Sequence, residues 1–148
     1  MSATKRTRTS DTELASRLAD PGLLQLRGHI AGWRAGTGTF DVTDPATGAT
    51  VASVARLDGD AAGDAVDAAQ SAFPAWATAL PQERGTLLRR WFDLIAQARE
   101  DLALIMVAEQ GKPLSEARGE IDYAASFVEF YAEEAKRPDI EGVTSHLP

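Results

Sequence analysis

The sequence has no cysteine, only two histidines, and fewer bases than acids: 15 Lys and Arg against 22 Asp and Glu in 148 residues. Without a thiol the chain has no disulfide, no zinc–thiolate or iron–sulfur site, and no cysteine nucleophile. With His29 and His146 alone, a histidine-rich metal centre is excluded too, and no residue is assigned to a metal. The net charge of −7 and a pI near 4.8 argue against nucleic acid as a partner, because phosphate binding needs a basic surface. No apolar run approaches the ~20 residues of a membrane span, and there is no secretory apolar region. Neither nucleic acid nor membrane is expected as a partner, and the expected location is the cytoplasm.

What is present is ordinary for a globular chain: 44% apolar and 25% charged residues. A compact chain of this length buries roughly 68–70% of its unfolded surface, enough for a core. Alanine supplies 27 residues, and its helix propensity makes helix the default for the middle of the chain.

Residues 1–10 hold Lys5, Arg6 and Arg8 and no acid. A targeting presequence is one reading; a disordered tail is preferred, because the stretch is short and lacks an apolar face. A short helix is predicted from Asp11 to Leu18, stopped by Pro21-Gly22. Residues 1–24 are read as a mobile N-terminal segment. Residues 25–35 read as a strand leading into a turn. Phe40-Asp41-Val42-Thr43 alternates like a half-buried strand, Asp44–Gly48 has turn chemistry, and Thr50–Ala55 is the return strand of a hairpin.

From Asp58 the period becomes helical. Asp58 and Asp60 are cap candidates, and Ala62, Val66, Ala69 and Phe73 share one face. Pro74 and Pro81 punctuate the run. Pro81 suits a first helical position, with Glu83 in the turn where the helix dipole favours an acid. Leu88, Trp91, Ile95, Ala98, Leu102, Ile105 and Met106 keep helical spacing, with a break expected at Glu100-Asp101. Gly111 is placed just past a helix end.

The last helix is predicted from Ser115 to Lys136. On a wheel at ~100° per residue, Ile121, Ala124, Ala125, Val128, Ala132 and Ala135 fill one sector. Tyr123, Phe127, Phe130 and Tyr131 fall in another. The apolar arc is wider than the ~100° stripe of a surface helix. Such a helix needs burial on two sides, which implies partner structure beyond the elements of this chain. The aromatic edge is expected to be exposed. Residues 138–148 read as a turn-rich tail.

Chemical motifs are sparse. Gly36-Thr37-Gly38 lacks the third glycine and following helix of a dinucleotide fingerprint, and a flexible turn is preferred. His29 has no triad spacing around it. Glu120 with Asp122, and Glu133 with Glu134, read as solvated faces rather than acid–base pairs. Lys112 reads as a lysine near helix C-terminal carbonyls. No catalytic or cofactor-binding residue is assigned.

An ordered set of segments nevertheless resembles the aldehyde dehydrogenase superfamily over about Ile30 to Arg137. The set comprises Asp44-Pro45-Ala46-Thr47-Gly48 with Ala52-Ser53-Val54; Ala68 to Trp76; Glu83-Arg84-Gly85; Leu87-Leu88-Arg89; Glu109-Gln110-Gly111-Lys112-Pro113-Leu114; Glu116 to Ile121; and Ala132-Glu133-Glu134. The Glu109–Leu114 and Gly119–Phe127 wording resembles the succinate-semialdehyde branch in particular.

The resemblance implies a mostly α, α+β fold: an N-terminal β-hairpin arm followed by three or four helices, the incomplete start of an NAD(P)-binding domain. Residues 25–137 would form that partial cofactor-domain region. It implies chemistry in which a cysteine thiolate attacks an aldehyde, hydride passes to NAD(P), and a glutamate-activated water releases the acid. Those parts sit later in family members, which are several times longer. The chain therefore reads as an N-terminal fragment, from a truncated reading frame or an incomplete sequence, of an NADP- or NAD-dependent enzyme. The enzyme would oxidise succinate semialdehyde to succinate, or another aldehyde such as glutarate semialdehyde. The fragment alone is expected to bind no cofactor and to be inactive. Family members act on a small aldehyde and form homo-oligomers. The resemblance also places Gly119, Tyr123 and Phe127 along an aldehyde entry tunnel. The competing reading is a non-catalytic helical interaction module, stable alone.

Overall fold

The computed structural model describes residues 10–137. Helix α1 covers Ser10–Arg17 and is followed by a 3₁₀ turn at Pro21–Leu23, where the Asp20 carboxylate accepts the Gly22 N–H at 2.9 Å. Two antiparallel hairpins come next: β1 (Gly28–His29) with β2 (Trp33–Arg34), and β3 (Gly38–Thr43) with β4 (Thr50–Arg56). Four helices complete the described chain: α2 (Gly59–Thr78), α3 (Pro81–Gln97), α4 (Arg99–Gln110) and α5 (Leu114–Glu134). The fold is α+β and mostly α, as expected.

The β3–β4 hairpin pairs Phe40 with Val54 and Val42 with Ala52. Its turn forms as its residues dictate: Asp44 accepts the Ala46 N–H through its carboxylate and the Gly48 N–H through its carbonyl, and Gly48 takes φ 70°. Phe40, expected to be half-buried, is instead exposed, with the Arg56 guanidinium 5.4 Å from its ring centre.

Two buried clusters share α4. Leu14, Leu18, Val51 and Ala52 form one, with Leu104, Ile105 and Ala108 against them. Ala103, Ala117 and Ile121 form the other, with Ile95, Leu102, Met106 and Leu114. Segment 1–24 reads as mobile from the sequence, and its residues 10–24 are described. In the structure Leu14 and Leu18 are buried in the first cluster, and burial of two leucines favours packing over a free tail. Residues 1–9 and the predicted tail 138–148 lie outside the described residues.

Three other expectations are corrected. Residues 25–35 form not one strand but a small hairpin, turning through Ala31 (φ 51°) and Gly32 (φ 157°). Pro74 does not end a helix: α2 runs through it to Thr78. Proline has no N–H to donate, so the carbonyl of Gln70, an exposed residue, loses its i+4 helical donor. The break between α3 and α4 falls at Ala98, so Glu100 and Asp101 occupy the first turn of α4, where the dipole favours acids.

Among the described residues, no helix is long and apolar enough to cross a membrane.

Candidate functional site

Helix α5 follows a tight corner. Gly111 adopts φ 69° past the end of α4, and its N–H bonds the Val107 carbonyl at 2.9 Å. A Cβ here would also lie 2.8 Å from the Pro45 ring. From Pro113 onward, Ala117, Ile121, Ala125 and Ala132 are all buried on one face of α5. The small alanines among them let α3 approach closely. At Gly85 of α3 a Cβ would lie 2.9 Å from the Ala132 carbonyl oxygen and 2.8 Å from the Lys136 side chain.

Turned roughly 90–180° from that packed face on a 100° wheel, the aromatic edge faces outward. Tyr123 is 67% and Phe127 48% exposed, and Phe130 and Tyr131 are similarly open. Tyr123 and Phe127 meet edge-to-face, ring centres 4.8 Å apart at 80°. A Cβ built on Gly119 meets nothing within 4 Å. Gly119, Tyr123 and Phe127 thus sit at i, i+4 and i+8 on one open face. The expected two-sided character of this helix is present: one side packed, the other uncovered.

Most acids of α5 and the first-turn Glu100 of α4 are engaged by bases. Asp122 holds Arg99 through two oxygens at 2.6 and 2.7 Å, while Glu100 holds Arg118. The Arg99 guanidinium beside Asp122 holds its carboxyl below the ordinary carboxylate range. Arg118 does the same for Glu100, with Arg99 adding to it. Glu129 pairs with Arg89 at 2.7 Å, Glu133 with Lys136, and Glu134 with Arg137. Glu120 pairs with Lys112. Lys112 therefore meets a carboxylate on α5, not the helix C-terminal carbonyls expected of it; full charge attracts it more strongly than carbonyl dipoles do. The acidic neighbours Glu120 and Asp122 take different bases and form no dyad.

The glycine pair does not fit a phosphate. Gly36 takes φ 65° and lies so close to β4 that a Cβ would be 2.4 Å from the Arg56 carbonyl oxygen. The Thr37 N–H is spent on that carbonyl, and Gly38 opens a strand rather than a helix. The His29 ring packs edge-on against Trp33 at 5.0 Å, with the Arg27 guanidinium 5.7 Å from the same ring. No group of three or more metal-ligating side chains occurs among the described residues.

One polar residue carries weight that the sequence did not signal. Asp101 is buried, and its two oxygens accept the backbone N–H groups of Ala19 and Asp20 at 2.9 and 2.8 Å. It fastens the end of α1 to α4 across more than 80 residues of chain. A lone acid in a helix first turn reads as a dipole partner, so nothing local marks this role.

The aldehyde dehydrogenase family model matches residues 33–147. This chain belongs to the aldehyde dehydrogenase family. It is 52% identical over 98 residues to the succinate-semialdehyde dehydrogenase [NADP(+)] of Escherichia coli, covering 66% of this chain and 20% of that one. It is 47% identical over 110 residues to a glutarate-semialdehyde dehydrogenase of Pseudomonas putida, covering 74% and 23%. The solved succinate-semialdehyde dehydrogenase of Burkholderia pseudomallei superposes with a TM-score of 0.78 at 48% identity, covering 81% of this chain and 26% of that one. The family chain thus spans about a quarter of the length of these relatives.

Proposed function

We propose that this chain is the N-terminal, partial cofactor-domain portion of an NADP- or NAD-dependent dehydrogenase that oxidises succinate semialdehyde to succinate. Residues 25–137 form that portion. Gly119, Tyr123 and Phe127 line the path by which the aldehyde enters. The observation that carries the reading is the open face of α5. Two aromatic rings and a glycine without a side chain leave a smooth, apolar approach, and family relatives act on semialdehydes by name. Such a wall desolvates a short aldehyde and leaves selection of its distal carboxylate to other groups.

The chain's own residues do not fit the nucleotide, since Gly36-Thr37-Gly38 is occupied by β4, and no thiol is present to attack a carbonyl. Nucleotide binding, the thiolate and homo-oligomer contacts belong, in this reading, to further family polypeptide. The site of action is the cytoplasm.

A chimera tests the assignment. Residues 30–137 replace the aligned segment of the E. coli relative, and kcat/KM is measured for succinate and glutarate semialdehydes. A preference for the four-carbon substrate supports the reading, and a preference for glutarate semialdehyde selects the alternative that the P. putida relative favours. In the chimera Phe127→Ala is expected to raise KM for the aldehyde several-fold, roughly 10-fold for ~1.4 kcal/mol of lost apolar contact. A KM unchanged by Phe127→Ala and by Tyr123→Ala removes these residues from the path.

A further inference from the structure

We draw no further inference here: the strongest candidate, the exposed apolar stripe of α3 formed by Leu87, Trp91 and Leu94, is an unpartnered helix face on a chain that spans about a quarter of its matched relatives, and nothing in the structure shows what covers it.

Discussion

At the residue scale two of the helical glycines, Gly85 and Gly119, predict opposite outcomes for one chemical change. Alanine in a helix interior is worth ~0.5–1 kcal/mol more than glycine. At Gly119 the added methyl meets nothing, so Gly119→Ala is expected to stabilise the chain by about that amount. At Gly85 the same methyl runs into the Ala132 carbonyl, a backbone atom that does not move aside cheaply. Gly85→Ala is expected to cost about 1–3 kcal/mol, as overpacking does. Urea unfolding of both variants checks the signs. Asp101 gives a third case. Asp101→Ala strands two backbone N–H groups in a part-buried site, with an expected cost of about 2–4 kcal/mol. Limited proteolysis should then cut first near residues 17–22. Asp101→Asn, which keeps one acceptor oxygen, should fall between.

The element scale is where charge matters. Arg99 and Arg118 on one side, and Glu100 and Asp122 on the other, stitch the start of α4 to the middle of α5. Both carboxyls are held below their ordinary range by these guanidiniums, Asp122 chiefly through its hydrogen bonds to Arg99 and Glu100 through those to Arg118. A carboxyl with a depressed folded-state pKa binds fewer protons folded than unfolded. Its stabilisation is complete above the unfolded value, near 4, and is lost as pH falls through the lower folded value. Melting temperature is therefore expected to drop below about pH 4, and Asp122→Asn to flatten part of that drop. High salt should narrow the difference, because all four side chains are at least a third exposed and screening weakens them. A salt-independent difference would show that the network is not what carries it.

At the scale of the whole molecule the uncovered apolar faces dominate. Exposed aromatic and aliphatic side chains occur on α2, α3 and α5, among them Phe73, Trp91 and Phe127. Monomers rarely leave an apolar patch larger than a few hundred Å² in water. The chain is expected to bind a hydrophobic dye and to self-associate at raised concentration, as read by sedimentation. Phe127→Ser should lower dye binding and change stability by less than ~0.5 kcal/mol, because the ring is already half in solvent. A marked loss of stability would place Phe127 in this chain's own core and favour a self-sufficient helical module. The purified chain is also expected to form no NADPH from NADP and aldehyde, since it has no thiol to attack the carbonyl.

Local chemistry determined much by itself. The Asp44–Gly48 turn, the caps at Asp58 and Gly111, and the start of α3 at Pro81 are set by φ preferences and by which side chain reaches a free N–H, so they are visible in the residues alone. So is the double character of α5, because helical period alone separates Ile121 and Ala125 from Tyr123 and Phe127. The ordered motifs also carried the family. Other features only the tertiary structure decided. Whether Pro74 breaks a helix depends on whether the Gln70 carbonyl tolerates the loss of its i+4 donor. Which acid Lys112, Arg99 or Arg118 pairs with depends on how α4 and α5 lie together. That Asp101 seizes the Ala19 and Asp20 N–H groups depends on a contact between segments far apart in the chain. Hydrogen bonds and ion pairs are short-ranged, so they record proximity in space, and separation along the chain carries no trace of it.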